Sequence, residues 1–231
     1  MNQFCTKRLA AVIPAAGIGS RMQAERPKQY LQLHGRSILE HSAAAVRQLQ
    51  PDLPLVIALA ADDPYFAATA LAADPNVQPV LGGRERADSV LAALQALDAS
   101  QVDWVLVHDA ARPLLQGTDL QRLLTQCQQA GCGGILASPV RDTMKRGGPR
   151  IEHTVERSRL WHALTPQLFP LLPLRQALQD ALSQGATITD EASAMEWAGQ
   201  PVLLVEGRSD NIKITQPEDL ALAAFYLEKQ G

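Results

Sequence analysis

Short apolar runs recur along this chain, each closed off by a turn or by polar residues: LAAVI from Leu9 to Ile13, then Leu55–Leu59, Val77–Leu81, Trp104–Val107, Gly134–Ala137 and Val202–Val205. Runs that short and apolar suit strands covered on both faces, which cannot turn a polar side toward water. Between them lie segments with helical spacing, Ile38–Gln48, Ala87–Leu97, Asp119–Ala130 and Leu174–Ser183. Strands alternating with helices of this length predict parallel pairing through right-handed crossovers, hence an α/β fold with helices on both faces of the sheet. A chain of 231 residues, 46% of them hydrophobic, is long enough to bury one complete core, so one domain over 1–231 is expected.

One stretch departs from the alternation. Arg141 to Arg159 is charged and polar around Gly147, Gly148 and Pro149, which predicts a hairpin arm at about 141–159 standing off the main sheet. Such an arm needs a surface to stay ordered, and a second copy of the chain is the expected one, giving a homodimer. Near the other end, Pro217 predicts the first turn of a last helix, with Glu218 and Asp219 near the positive end of its dipole.

Charge excludes several functions. Lys plus Arg total 21 against 24 Asp plus Glu, a formal charge of −3, so there is no basic field for gripping a nucleic acid and any anionic ligand must be small. No apolar run is long enough to cross a bilayer, so no membrane association is expected. The N-terminal MNQFCTKRL lacks a signal-like pattern, and Cys5, Cys127 and Cys132 are odd in number, which together predict reduced thiols and a cytoplasmic location.

The strongest local signal is PAAGIGSRM, Pro14–Met22, running straight out of the first apolar run. Small residues at Ala15, Ala16, Gly17 and Gly19 let backbone amides approach a phosphate, with left-handed glycines turning successive N–H groups toward one anion. Arg21 closes the segment and Lys28 follows, so two cations flank the amides. The segment is neither a P-loop, which needs Gly-Lys-Ser/Thr, nor a dinucleotide fingerprint, which needs a small residue where Met22 stands.

GGRERADSV, Gly82–Val90, follows another strand and leads into a helix capped at Asp88 or a neighbour. Its Gly-Gly turn admits a base or ribose, while Ser89 serves either a ligand or the helix backbone. HDAARP, His108–Pro113, sits at the carboxyl end of WVLV, where open α/β sheets bind ligands. There Asp109 and Arg112 either face the crevice or tie the loop down as a pair. In DNIKIT, alternation sets Lys213 opposite Ile212 and Ile214, toward water or toward the site. The cysteines and histidines show no zinc spacing, and no Gly-x-Ser-x-Gly elbow supports a serine hydrolase.

Taken together, PAAGxGxRM, PKQY, ILEHS, ERADSV, VLVHDAARP, PVRDTMK, LWHALTPQ, ATITDEASA, VEGxxDNIK and PEDLALA cover most of the chain. In that order they resemble the bacterial and plastid 2-C-methyl-D-erythritol 4-phosphate cytidylyltransferases of isoprenoid precursor synthesis. The resemblance implies a Rossmann-like, mostly parallel sheet with a dimerising β-arm. It also implies a reaction that joins CTP to methylerythritol phosphate and releases pyrophosphate with Mg²⁺ present. It assigns Pro14, Ala15, Ala16, Gly17 and Gly19 to the triphosphate loop, and Arg21 and Lys28 to transition-state stabilisation. Gly82, Gly83 and Ser89 fall to the cytidine pocket, and Asp109, Ala110 and Arg112 to the junction of nucleotide and sugar phosphate. Arg157 and Lys213 position the acceptor, with Thr143 and Thr165 beside it; Thr143 and Arg157 come from the partner's arm.

Two positions depart from the family pattern, Arg84 where Asp is frequent and Ser20 where a basic residue is common. The chemistry agrees with the residues on its own terms. A phosphate nucleophile is already ionised near neutral pH, so the site needs cations and amides rather than a general base. Mg²⁺ on the triphosphate would find Asp109 as its nearest protein carboxylate.

Overall fold

The computed structural model describes residues 8–17 and 26–230. Eleven strands and six α-helices are defined within them. The central sheet has seven strands: β1 (Leu9–Pro14), β4 (Leu55–Leu59), β5 (Val77–Leu81), β6 (Trp104–Val107), β7 (Gly134–Pro139), β10 (Trp161–Pro170) and β11 (Leu203–Glu206), in the order β11-β7-β10-β6-β1-β4-β5. The pairs β1–β4, β1–β6, β4–β5 and β7–β11 are parallel, whereas β10 runs antiparallel to both β6 and β7. The fold is thus the expected α/β class with a mostly parallel sheet.

Strand periodicity explains why the sequence shows unbroken apolar runs. Successive side chains point to opposite faces. Ala11 and Ile13 of β1, Leu55 and Ile57 of β4, and Trp104 and Leu106 of β6 enter one core. Their neighbours Ala10, Val12, Val56, Ala58, Val105 and Val107 enter the other. The first core is closed by α1 (Ile38–Val46) and α3 (Gly117–Ala130) through Leu39, Val46, Leu120, Leu123 and Cys127. The second is closed by α2 (Arg86–Gln95), α4 (Leu171–Ser183) and α5 (Glu191–Trp197) through Val90, Leu94, Leu174, Leu178 and Met195. Helices on both faces leave no side of these strands for polar residues.

Helix α1 begins at a short hairpin, β2 (Gln32–Leu33) with β3 (Arg36–Ser37). A capping box holds its start: the Ser37 hydroxyl accepts from the Glu40 amide at 3.2 Å, and the Glu40 carboxylate accepts from the Ser37 amide at 2.8 Å. Helix α6 (Pro217–Gln230) opens on Pro217 as expected, and Asp219 accepts from the amides of Thr215 and Gln216, both at 2.8 Å. It packs on Leu33, Ile38, Leu114 and Ile214, a third and smaller cluster.

The arm is the antiparallel hairpin β8 (Met144–Gly147) with β9 (Ile151–Val155), exposed along almost all its length. Its turn requires Gly147, because a Cβ there would lie 2.2 Å from the Arg150 carbonyl oxygen.

Three readings of the sequence are corrected. The segment around Lys213 is not a strand: it lies outside regular structure, and Ile214 makes a single ladder-like bond, donating to the Ala111 carbonyl at 2.9 Å. The alternation is not kept in burial either: Ile214 is fully inside, but Ile212 is half-buried like Lys213. Helix α2 starts at Arg86, one residue earlier than expected, with Glu85 preceding it and the Asp88 carboxylate accepting from the Glu85 amide at 3.0 Å. Finally, β10 and α5 are elements that the sequence pattern does not predict.

Candidate functional site

Strand β1 stands between β4 and β6, and the chain leaves it first toward β4 and only later returns to its other side. Loops that follow β1 and β6 therefore diverge and open a crevice at the carboxyl ends of the strands. A cavity of about 260 Å³ lies there, walled by Pro14 to Gly17, Gly83, Ser89, Asp109 to Ala111, Lys28 and Lys213. A second, of about 250 Å³, is walled by Arg112, Thr165, Gln167 and Asp190. Arg86, Asp109 and Lys213 line both.

The first turn is held by Gln29, which also lines the first cavity and to which no sequence motif gives a role. Gln29, only 4% exposed, donates its amide to the carbonyls of Ala15 at 2.6 Å and Gly17 at 3.1 Å. Gly17 is not in the left-handed region anticipated for it, and a Cβ there would meet nothing within 4 Å; its smallness serves the open cavity rather than the backbone. Gly19 and Arg21 lie outside the described residues. Lys28 is half-buried in a one-turn 3-10 helix and donates to the Ile214 carbonyl at 2.8 Å.

The Gly-Gly turn is demanded by protein packing. A Cβ on Gly82 would stand 2.6 Å from the Ala16 Cβ and 2.9 Å from the Ser89 Oγ, and one on Gly83 would stand 2.2 Å from the Asp88 Cβ. Gly82 therefore backs the first turn instead of lining the cavity. Ser89 accepts from the Gly83 amide and donates to the Glu85 carbonyl, both at 3.1 Å, so its hydroxyl fixes this turn against α2.

Asp109 is the electrostatic centre. Its carboxylate meets Lys213 Nζ at 2.9 Å, Arg86 Nε at 3.1 Å and Arg112 Nε at 3.5 Å. Burial alone would raise its pKa, but the three cations outweigh it and hold the carboxyl well below the usual carboxylate range. Arg86 also forms a two-pronged pair with Glu191, Nη1 to Oε1 at 2.7 Å and Nη2 to Oε2 at 3.1 Å, and Glu191 is 1% exposed. Burial opposes the Arg86 charge, yet Glu191 and Asp109 together raise its pKa. Three cations against two carboxylates leave the cluster with one net positive charge, suited to an anion.

Arg112 answers both readings offered for it. It ties the loop down, donating to the Asn211 carbonyl at 2.7 Å, and it also faces the second cavity. Behind it lies His108, fully buried, its Nε2 at 2.9 Å from the Arg112 carbonyl oxygen and its Nδ1 at 2.9 Å from the Thr165 hydroxyl. Burial pushes the His108 pKa down to about 4, so the ring is neutral at physiological pH.

The structure thus brings together Pro14, Ala15, Ala16, Gly17, Lys28, Gly83, Ser89, Asp109, Ala110, Arg112, Thr165 and Lys213 around two adjoining cavities. It does not bring Thr143 or Arg157, which are exposed at the root of the arm and line neither cavity of their own chain. Among the described residues no three His, Cys, Asp or Glu side chains form a metal cluster, and no helix is long and apolar enough to cross a membrane.

Residues 9–229 match the family model described as IspD: 2-C-methyl-D-erythritol 4-phosphate cytidylyltransferase. A relative of that name from Vibrio vulnificus (strain CMCP6) is 56% identical over 226 residues, 96% of this chain and 95% of its own. One from Serratia proteamaculans (strain 568) is 58% identical over 221 residues, 94% of this chain and 93% of its own. Among solved structures, a 4-diphosphocytidyl-2C-methyl-D-erythritol synthase superposes with a TM-score of 0.81 at 38% identity, covering 96% of this chain and 99% of the other. The Francisella tularensis 2-C-methyl-D-erythritol 4-phosphate cytidylyltransferase gives 0.77 at 32% identity, covering 95% and 100%.

Proposed function

This chain belongs to the 2-C-methyl-D-erythritol 4-phosphate cytidylyltransferase family, and from that membership we propose how its two cavities divide the joining of CTP to 2-C-methyl-D-erythritol 4-phosphate. It is a nucleotidyltransferase of isoprenoid precursor synthesis. The observation that carries the division is the shared wall: Arg86, Asp109 and Lys213 border both cavities, so groups seated on either side meet there. CTP occupies the cavity under the first turn, with its triphosphate against Ala15 to Gly17 and Lys28. The acceptor occupies the cavity bounded by Arg112 and Thr165, its phosphate directed at the junction.

Attack by a phosphate oxygen on the α-phosphorus, with pyrophosphate leaving, brings two polyanions together. The residues present neutralise charge and hold the nucleophile in line; none is required to remove a proton, because the phosphate monoester is already ionised. Lys213, held by Asp109 at 2.9 Å, stands where both phosphates converge. Lys28 stabilises the departing charge, and Arg21 joins it on the strength of the family resemblance. Asp109 as a single carboxylate at the junction fits Mg²⁺ of the kind that rides on substrate phosphates and keeps several waters. It would hold the ion by exchanging one of its present cation contacts. When bound, the ion supplies further charge neutralisation on phosphate oxygens.

Thr143 and Arg157 enter the scheme through a homodimer in which each arm reaches the partner's acceptor cavity. Their absence from the lining of either cavity of their own chain, and the exposed apolar side chains Met144 and Ile151 on the arm and Trp161 where β10 begins, favour that arrangement. The assembly is assigned to the cytoplasm. Pyrophosphate release from CTP, Mg²⁺ and methylerythritol phosphate tests the reading. Release with this acceptor and a loss of about 10²–10³ in turnover for Lys28→Ala are expected; equal turnover with an unrelated alcohol phosphate would overturn the acceptor assignment.

A further inference from the structure

His108 is the buried titratable group that the reaction leaves unused, and its two contacts determine more than its own position. The Arg112 carbonyl oxygen at Nε2 only accepts, so Nε2 carries the proton and Nδ1 is a bare acceptor. The partner of Nδ1, 2.9 Å away, is the Thr165 hydroxyl, which must therefore be the donor. Thr165 Oγ1 in turn accepts from the Asp109 amide at 3.1 Å. A hydroxyl has one proton and two lone pairs. The proton goes to His108, one lone pair goes to Asp109, and a single lone pair remains. Thr165 is 4% exposed and borders the second cavity.

We propose that His108 is a positioning residue that fixes the hydrogen-bonding sense of Thr165, so that Thr165 meets the acceptor only as a hydrogen-bond acceptor and recognises one of its hydroxyl groups. A dianionic phosphate has no proton to offer and is excluded from that spot. The acceptor is thereby oriented, with its polyol hydroxyl on Thr165 and its phosphate on the Lys213 and Arg112 side. This inference rests on the assignment of the acceptor to the second cavity.

Three measurements test it. Long-range nitrogen–proton NMR on the wild-type protein, with the His108 signals assigned by their loss in His108→Asn, is expected to show a neutral ring protonated at Nε2. An Nδ1-protonated ring overturns the proposal, whatever the enzyme turns over. Acceptors in which each hydroxyl is replaced in turn by hydrogen or by fluorine probe the sense of the bond. At one hydroxyl, both replacements are expected to lower kcat/KM by about tenfold or more, because fluorine, like hydrogen, cannot donate. Thr165→Val should lose that discrimination while keeping its KM for CTP. A fluorinated acceptor as good as the parent at the position sensed by Thr165→Val would show that Thr165 donates, and would overturn the proposal. So would discrimination fully retained in Thr165→Val. His108→Asn, which keeps an acceptor atom near Nδ1, should preserve more of the discrimination than His108→Leu; equal loss in both reduces His108 to packing. Absence of pyrophosphate release by the wild type with the parent acceptor would instead remove the underlying functional reading, leaving the tautomer result standing separately.

Discussion

Replacing Asp109 with Asn isolates the electrostatic centre of the site. The substitution preserves shape and removes one negative charge facing three cations at 2.9, 3.1 and 3.5 Å. The cluster then holds three cations against Glu191 alone. Removing one partner from a buried ion pair destabilises by about 3–5 kcal/mol. Asn still offers one acceptor oxygen, and Arg86 keeps Glu191, so the lower end applies, about 3 kcal/mol. For a chain of this length that lowers Tm by roughly 6–12 °C.

The acid limb supplies a second signature. Because the folded pKa of Asp109 lies below its unfolded value, its stabilisation is fully present above about pH 4 and is lost as pH falls through the window below. Urea unfolding at pH 7, 5 and 3 should therefore show the wild type and Asp109→Asn converging only at the acidic end. Turnover should fall by about 10² or more as Lys213 loses its anchor, while CTP binding is maintained by the added positive charge. A variant within 2 °C of the wild type by calorimetry, or one whose acid limb runs parallel to it, would refute this account of the cluster, with the scale set by the conversion above.

Other outcomes follow from single contacts. Burial lowers the His108 pKa from 6.5 to about 4, so its neutral-state stabilisation is complete above pH 6.5 and is lost as pH falls toward 4; roughly 2 kcal/mol should disappear between pH 7 and 5, and urea midpoints should show a shallower dependence in His108→Asn. Gly82→Ala should lower stability by about 1–3 kcal/mol through its clash with Ala16, whereas Gly17→Ala should leave the urea midpoint unchanged and reduce turnover by placing a methyl in the cavity. If the arm acts in the partner's site, inactive Arg157→Ala and Lys213→Ala proteins, unfolded and refolded together in equal amounts, should recover roughly a quarter of wild-type turnover, since half the dimers are mixed and each has one intact site. No recovery in a mixture shown to exchange subunits would place Arg157 elsewhere.

Much of the fold is legible in the sequence because both faces of the central strands are covered, although the edge strands β5 and β11 are largely exposed, Leu81 and Leu204 among them. Leu55–Leu59 and Trp104–Val107 are strands with the bounds their composition suggests, since helices above and below require apolar residues at every position. Strand β10 escapes that logic. Its first three residues are exposed and the next six are buried, so LWHALTPQLFP follows neither an alternating nor a continuous apolar pattern. The first cavity was readable from its small residues and its cations, because a backbone approach to phosphate needs both. Arg86 and Glu191 were not, although each lay inside a motif already singled out. They are 105 residues apart, and no local pattern says which of several charged residues will meet across the sheet ends. Gly82 and Ser89 teach the complementary lesson, for both sit beside the cavity and both are explained first by the protein atoms they touch.

Strand β10 has a mechanical consequence. Its backbone starts at Trp161, beside the hairpin, passes Thr165 at the wall of the second cavity, and ends at Pro170 against α4. From Gln167 onward it is paired to β6, and Gln167 and Leu168 are paired to β7 as well; Trp161 to Ala163 pair with β7 alone, and the β7 ladder changes register between Ala163 and Gln167. The cavity wall at Thr165 is consequently the step between a half of the strand held by β6 and β7 and a root held by β7 alone, so a load applied to the hairpin by a neighbouring molecule meets that step first.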